Sequence, residues 1–123
     1  MEGLADLHCV RVGAGTPRLE TADADRLLAQ LPGWRRTEVE GEARLEKDFL
    51  FENFARAMEF ADGLARVAEA EDHHPALRVE WGRVNVAWWT HRIGGLHRND
   101  FIMAARTETV FARCSPPSAA PDE

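Results

Sequence analysis

One amphipathic segment near the middle of the chain constrains the fold more than any other feature. Over residues 53–71, apolar side chains recur at steps of three and four, at Phe54, Ala57, Met58, Ala61, Leu64, Ala65 and Ala68. This spacing places them on one face of a helix, and that face needs a partner layer to cover it. The predicted helix ends at His73-His74-Pro75, because the residue before a proline is disfavoured in helical conformation.

Two pairs of extended segments, one pair on each side of this helix, are predicted β-hairpins. The strands cover 34–40 and 43–50 before the helix and 77–81 and 83–91 after it. Gly41-Glu42 and Gly82 supply the turns, because glycine tolerates the positive φ that tight turns need. Strands joined by hairpins pair antiparallel, so the sequence predicts an antiparallel sheet.

Two further helices complete the pattern. Thr21 is the predicted N-cap of a short helix over 22–31, and a last helix covers 99–112. Amphipathic helices must bury their apolar faces against one face of the sheet. The predicted fold class is therefore α+β: a four-stranded antiparallel sheet with helices packed on one face and the element order α-β-β-α-β-β-α.

The ends of the chain differ in composition from its middle. A length of 123 residues fits one domain. Residues 1–18 mix glycine, proline and scattered polar residues without a sustained period, and residues 114–123 contain too few apolar residues to fold alone. We expect a loosely ordered N-terminal arm over 1–18, a single domain over 19–113 and a disordered tail over 114–123.

Charge and the length of apolar runs exclude several classes of protein. The 15 basic and 21 acidic residues give a formal net charge of −6 at pH 7, which disfavours nucleic acid as a partner. The longest apolar runs are far shorter than the roughly 18 to 20 residues of a membrane span, and the N-terminus lacks the features of a secretion signal. We expect a cytoplasmic protein that binds neither nucleic acid nor membrane.

The last predicted strand places an indole on the sheet face that no helix covers. Side-chain alternation directs Val84, Val86 and Trp88 towards the helices, and Trp89 and His91 towards the opposite face. A large indole left in water would be unusual if its neighbours are also apolar. We infer from this that another subunit covers part of the open face.

Three histidines lie where the predicted sheet could bring them to one rim. His73 and His74 lie in the loop that enters one strand, and His91 ends the adjacent strand. Asp100 is at the start of the last helix, where the helix dipole favours a carboxylate, and it could also orient an imidazole. Glu69 precedes His73 by one helical turn. Convergence of these side chains would make the rim a candidate site.

Other interpretations of these residues stay open. A single surface histidine usually has no function, Asp100 can be a simple helix-start residue, and Glu69 can be a solvated helix position. Zinc or iron is a further interpretation, but His73 and His74 are neighbours in an extended segment and point to opposite sides, so we expect no metal. Trp81 is either a packing residue or the wall of a flat pocket.

These residues resemble the signature of the pterin-4a-carbinolamine dehydratases, also called 4a-hydroxytetrahydrobiopterin dehydratases. The matching positions are Glu69, His73-His74-Pro75, Trp81, His91, Gly94-Gly95 and Asp100. The similarity covers about residues 19–112 and includes the Leu-Pro-Gly-Trp element at 31–34. The element order of this family agrees with the order predicted above.

The resemblance implies a dehydration that needs no cofactor. Members of the family eliminate water from the 4a-hydroxytetrahydropterin left by aromatic amino-acid hydroxylases, giving the quinonoid dihydropterin. An acid must protonate the 4a-oxygen while a base takes the proton of N5. By this resemblance His73 and His91 are acid/base candidates, His74 binds or orients the pterin, and Asp100 supports His91. The further substrate-binding or supporting positions are Glu69, Pro75 and Trp81.

We expect a homodimer or homotetramer, and the resemblance implies that neither a metal nor a redox cofactor is required. Three positions depart from the family pattern, and the first is Leu77, where the family often has a tryptophan. His97 stands where a threonine cap often precedes the last helix, which predicts a weaker helix start, and Val12 replaces the second cysteine of a CxxC that some bacterial relatives carry at Cys9. Some relatives of this fold act as non-catalytic assembly factors for large enzyme complexes. That role is the alternative function, and the complete set of histidines favours the enzyme.

Overall fold

The computed structural model describes residues 3–114. The helices are α1 (Thr21–Leu28), α2 (Phe54–Glu71) and α3 (Arg98–Cys114), and the strands are β1 (Arg35–Val39), β2 (Glu42–Leu50), β3 (Ala76–Glu80) and β4 (Arg83–Trp88). Short 3-10 turns cover Leu4–Asp6 and His91–Ile93. None of the helices described is both long and apolar enough to cross a membrane. Residues 115–123 of the predicted tail lie outside the described residues.

The four strands form one antiparallel sheet in the order β1-β2-β4-β3. Hairpins join β1 to β2 and β3 to β4, and the two central strands pair with Leu45 opposite Trp88. Helices α2 and α3 pack against each other and against one face of this sheet. The predicted α+β class and the element order α-β-β-α-β-β-α are therefore confirmed.

The core lies between the sheet and these two helices. Nearly fully buried side chains from the two layers are Leu45, Phe49, Val84, Val86, Trp88, Phe60, Leu64 and Phe101. Each buries apolar area worth about 1.5–3 kcal/mol relative to an exposed side chain. The predicted inward parity of Val84, Val86 and Trp88 is confirmed.

The buried face of α2 is rotated from the predicted stripe. Phe60 is fully buried although it lies outside that stripe, whereas Phe54 and Met58 are 48% and 45% exposed. The rotation follows from the sheet, because Phe60 packs in the core beside the ring of Phe49, at a centroid distance of 5.0 Å. Asn53 begins the helix by accepting the backbone N–H of Arg56 at 2.8 Å, as an N-cap side chain does.

Three predicted boundaries are wrong by one or a few residues. The first hairpin turns at Glu40 and Gly41, both with positive φ (51° and 84°), so the turn begins one residue earlier than predicted. Thr21 lies inside α1 rather than at its N-cap, which is Glu20 and makes no side-chain cap hydrogen bond. The α-helix ends at Leu28 instead of continuing to residue 31.

Trp89 is buried by its own chain. The indole lies on the sheet face without helices, as predicted, but it is only 8% exposed because the Arg44 guanidinium lies 3.7 Å from its ring centroid. Arginine stacks on aromatic faces through cation–π attraction. The argument that an exposed indole needs a covering subunit therefore no longer applies, because Arg44 of the same chain covers Trp89.

Candidate active site

The end of α2 directs His73 towards the core. Asp72 adopts the left-handed conformation (φ 54°) just beyond the helix, and its backbone N–H bonds back to the carbonyls of Ala68 and Glu69. The backbone N–H of His73 bonds to the Ala68 carbonyl at 3.1 Å. This reversal takes the chain out of the helix within two residues. His73 then lies beside the sheet, and Pro75 leads into β3.

A buried hydrogen bond joins His73 to Asp100. The His73 Nε2 and Asp100 Oδ1 atoms are 2.6 Å apart, and the side chains are 11% and 0% exposed. The other carboxylate oxygen, Oδ2, accepts the Thr90 hydroxyl at 2.8 Å and the His97 backbone N–H at 2.9 Å. Because Thr90 and the His97 backbone both donate to this carboxyl, we treat Asp100 as the acceptor and assign the proton of the third bond to Nε2 of His73.

This arrangement differs from the predicted role of Asp100. The resemblance assigned Asp100 to support His91, but its carboxylate is used by His73, Thr90 and His97. Asp100 is therefore the hydrogen-bond partner of His73, the first of the two adjacent histidines. It reaches the third histidine only through the backbone, because Thr90 is the residue before His91.

Trp88 fixes the plane of the His73 ring. The two rings are nearly parallel, with an angle of 7° and a centroid distance of 5.8 Å. Trp88 is itself held by its indole N–H, which donates to the Thr107 hydroxyl at 3.0 Å, and that hydroxyl donates to the Met103 carbonyl at 2.7 Å. The His73 ring thus has one neighbour that sets its plane and one that sets its rotation, so its orientation is fixed by both.

His97 caps the helix that carries Asp100. Its Nδ1 accepts the backbone N–H of Asn99 at 3.0 Å, and its own backbone N–H donates to Asp100. The prediction of a weaker helix start is wrong in this respect, because the imidazole takes the place of a threonine hydroxyl. Burial lowers the pKa of His97, the charges of His73 and Arg98 lower it further, and Asp100 opposes them. Nδ1 can accept only when unprotonated, so the cap requires a neutral ring.

A tight turn after β4 sets the position of His91. Thr90 and Gly95 form a β-bridge across the turn, and Gly94 closes it in the left-handed conformation (φ 62°) that favours glycine. A Cβ at residue 95 would lie 2.8 Å from Cδ of Arg18, so any residue other than glycine would displace that side chain. The turn leaves His91 exposed, with its ring 4.8 Å from that of Trp89.

His74 and Glu69 form a separate, exposed pair. His74 Nε2 and Glu69 Oε2 are 2.7 Å apart, with 52% and 77% of their side chains exposed. His74 thus points away from the buried His73–Asp100 pair, as expected for neighbours in an extended segment. Both side chains can reach a molecule that approaches from solvent.

Trp81 lies far from the histidines. It occupies the turn between β3 and β4 and is 73% exposed. His73 precedes β3 and His91 follows β4, so the length of the hairpin, about 17 Å for five residues, separates the indole from both. This placement does not support the predicted role as a pocket wall.

The loops before β3 and after β4 therefore meet at the start of α3. His73 is joined to the His91 loop by the chain of hydrogen bonds through Asp100 and Thr90. Within residues 3–114, no hydrogen bond or ring contact links two of the three predicted catalytic imidazoles directly. A cavity of about 480 Å³ opens beside Gly94 and Gly95, and the imidazoles are absent from its lining. No three His, Cys, Asp or Glu side chains in the described part could together hold a metal ion.

Sequence reasoning missed Thr90 and the structural role of Trp88. The alternation along β4 correctly directed Trp88 to the helix side of the sheet, where His73 also lies. The alternation of side chains could therefore have predicted the contact between the rings of Trp88 and His73. Thr90 gave no signal, because its bond to Asp100 depends on how the turn places α3.

Comparisons with known proteins agree on one family. Residues 17–110 match the family model described as "Pterin 4 alpha carbinolamine dehydratase". A protein of Marinobacter nauticus named "Putative pterin-4-alpha-carbinolamine dehydratase" is 44% identical over 111 residues, which are 90% of this chain and 100% of that protein. A protein of the same name from Chlorobium luteolum is 48% identical over 111 residues, 90% of this chain and 97% of that protein.

Two solved structures are also similar. One is described as a transcriptional coactivator/pterin dehydratase from Brucella melitensis, with a TM-score of 0.69 and 31% identity over 76% of this chain and 98% of that one. The other is a pterin dehydratase-like protein described as a RuBisCO assembly factor in the alpha-carboxysome, with a TM-score of 0.55 and 25% identity over 63% of this chain and 88% of that one.

Proposed function

This chain belongs to the pterin-4a-carbinolamine dehydratase family, and we propose that it is an enzyme that eliminates water from a 4a-hydroxytetrahydropterin to give the quinonoid dihydropterin. The observation that carries this proposal is the buried His73–Asp100 pair, with a 2.6 Å hydrogen bond. A carboxylate that orients a histidine from a buried position is the arrangement by which proteins prepare an imidazole for proton transfer. The His73 side chain is 11% exposed, so it is not completely closed off from solvent.

We assign the role of base to His73. Its Nε2–H is committed to Asp100, so Nδ1 carries the lone pair in the neutral ring and has no hydrogen-bond partner among residues 3–114. The ionised Asp100 stabilises the imidazolium that forms when Nδ1 takes the proton of N5. The electrons of that N–H bond then form the N5=C4a double bond as the 4a-oxygen leaves.

His91 is the proposed acid, and His74 with Glu69 the proposed binding pair. His91 is exposed and follows Thr90, whose hydroxyl donates to Asp100, so the His91 backbone adjoins the buried pair while its ring does not share the carboxylate. Donation of a proton from His91 to the 4a-oxygen lets it leave as water. The exposed pair of His74 and Glu69 offers a donor and acceptors for the polar edge of a pterin. The reaction moves two protons and breaks one C–O bond without a net change in oxidation state.

The test is a direct measurement of the dehydration. The 4a-carbinolamine is generated in a cuvette by an aromatic amino-acid hydroxylase, and its conversion is followed by ultraviolet absorbance with and without this protein. We expect the protein to raise the rate well above the spontaneous rate, with His73→Ala as the control for contamination. A rate equal to the spontaneous one would reject the enzymatic proposal.

A non-catalytic role in assembly is the second candidate, favoured by the likeness to the structure described as a RuBisCO assembly factor. An unchanged spontaneous rate in the assay above would support it. In either role we propose a homodimer or homotetramer, with exposed Leu50, Phe54 and Met58 as an apolar surface that a second copy could cover. Light scattering of the purified protein gives the mass directly. We also propose that the cellular source of the substrate is an aromatic amino-acid hydroxylase.

A further inference from the structure

Three residues of the N-terminal arm bridge the end of α2 and the start of α3. The backbone N–H of Cys9 donates to Glu71 Oε1 at 2.7 Å, and His8 Nδ1 lies 2.7 Å from Glu71 Oε2. One residue later, the Val10 N–H donates to Asn99 Oδ1 at 3.0 Å, and Asn99 Nδ2 donates to the Val10 carbonyl at 2.8 Å. We call His8, Cys9 and Val10 the arm clip. These contacts attach the segment that the sequence predicted as loosely ordered.

The two side chains that receive the arm clip are shielded from water. The Glu71 side chain is 10% exposed and Asn99 is 2% exposed. Burial alone would raise the pKa of the Glu71 carboxyl, but the Cys9 N–H, the His8 ring and the Arg106 guanidinium hold it below its ordinary value. Glu71 therefore stays ionised at neutral pH. Hydrogen bonds to a buried charged group are stronger than neutral, exposed ones.

The clip contacts lie immediately beside the proposed catalytic pair. Glu71 is two residues before His73, and Asn99 is the residue before Asp100. The backbone of each partner of the 2.6 Å hydrogen bond is thus tied to the same three-residue segment. The match to the family model covers residues 17–110, so the arm clip lies before the matched region.

We propose that the arm clip positions His73 relative to Asp100, with Glu71 and Asn99 as the positioning residues through which it acts. The kinetic part of this proposal rests on the proposed function, and the geometric part does not. A displacement of about 1 Å caused by a distant change can cost about 10²-fold in rate. The clip does not touch the exposed side chains proposed to bind substrate, so its loss lowers kcat rather than raising KM.

Val10→Pro removes the donor of one clip contact without changing a buried side chain, because the Val10 side chain is 62% exposed. Val10→Ala is the matched control, since it truncates the same side chain and keeps the N–H. Asn99→Ala removes both contacts from the other side. Glu71→Ala and Glu71→Gln form a second pair, because glutamine keeps an oxygen that accepts the Cys9 N–H.

Two readouts separate positioning from simple stability. The Nε2 proton of His73, bonded to a buried carboxylate, gives a proton resonance far downfield of the backbone amides, and it is assigned by its loss in His73→Gln. We expect Val10→Pro, Asn99→Ala and Glu71→Ala to shift or broaden this resonance and to lower kcat about tenfold, with KM changed less than about twofold. Val10→Ala and Glu71→Gln keep the wild-type resonance and turnover. Thermal unfolding confirms that each variant is folded at the assay temperature.

Unchanged resonance and turnover in folded Val10→Pro and Asn99→Ala would overturn the proposal and leave the arm as a stabilising strap. A shifted resonance with wild-type turnover would overturn its kinetic part. If the wild-type protein proves to have no dehydratase activity, the proposed function fails, and the resonance alone still decides whether the clip sets the geometry of the pair.

Discussion

Replacing Asp100 by asparagine tests the proposed site at its centre. The carboxylate is 0% exposed and accepts hydrogen bonds from His73, Thr90 and the His97 backbone. An amide of the same shape keeps one acceptor oxygen but places an NH₂ group against at least one of these donors. If that group faces His73, the imidazole can satisfy it only by moving its proton from Nε2 to Nδ1. The ring nitrogen proposed as the base is then protonated.

The expected losses follow from these contacts. Hydrogen bonds to charged groups contribute about 1.5–3 kcal/mol, and a buried donor left without an acceptor costs about 1–3 kcal/mol. We therefore expect Asp100→Asn to lower the free energy of unfolding by about 2–4 kcal/mol. Turnover should fall by about 10² to 10⁴, the usual contribution of a positioned acid/base group, because the wrong tautomer removes the base.

The assay compares carbinolamine turnover and urea unfolding for Asp100→Asn and a matched control. Asp48→Asn makes the same chemical change in a carboxylate on the open face of the sheet, which among residues 3–114 accepts a hydrogen bond only from the Asn85 amide, at 2.8 Å. It should keep turnover within about twofold. Because Asp100 is proposed to act through His73, Asp100→Asn should add little to the loss in a His73→Ala background. A folded Asp100→Asn protein with wild-type turnover, or full additivity with His73→Ala, would refute the reasoning.

Further predictions concern the histidines and the thiols. His73→Ala and His91→Ala should each lower turnover by about 10² to 10⁴ in the same assay, and wild-type turnover in both would dismiss the assignment. The pKa of His97 is lowered from 6.5 in the folded protein, so the folded state binds fewer protons than the unfolded one; stability is complete above about pH 6.5 and falls as the pH drops below it. Between about pH 7.5 and 5.5, the free energy of unfolding measured with urea should fall less in His97→Thr than in the wild-type protein. Equal falls in the two proteins would contradict the capping role. Burial, then neighbouring carboxylates, raise the pKa of Cys9 to about 12. In a Cys114→Ser protein at about pH 8, this thiol should therefore react with a disulfide reagent far more slowly in the folded protein than after unfolding. Equal rates would count against the burial of Cys9.

Local patterns were sufficient to predict the layers of this fold. The three-and-four spacing of α2 and the proline after His74 located the longest buried helix, and strand alternation directed Val84, Val86 and Trp88 to the core. These features depend on neighbours in sequence. Helix ends and turns were less exact, because Glu40 rather than residue 42 shares the turn with Gly41.

The partners of the site depend on contacts between distant segments. Asp100 was predicted to lie near an imidazole, but its selection of His73 follows from how α3 docks beside the end of α2. Trp81 lies at the far end of the β3–β4 hairpin from His73 and His91, and its distance from them follows only when the hairpin length is compared with the positions of both histidines. The arm carried no periodic signal, since it is held by backbone hydrogen bonds to Glu71 and Asn99 that any residue type except proline could supply.

The guanidinium over Trp89 has a consequence for how such proteins change over time. Arg44 covers the indole on the sheet face that carries no helices, so this aromatic surface is kept from water within one chain. Arginine combines a flat stacking group with a permanent charge, a combination that a shorter residue does not provide. Replacement of Arg44 by a shorter residue would expose the apolar surface of the Trp89 indole without disturbing the packed layers. Descendants of this chain could thereby acquire or lose a quaternary contact while their interior stays the same.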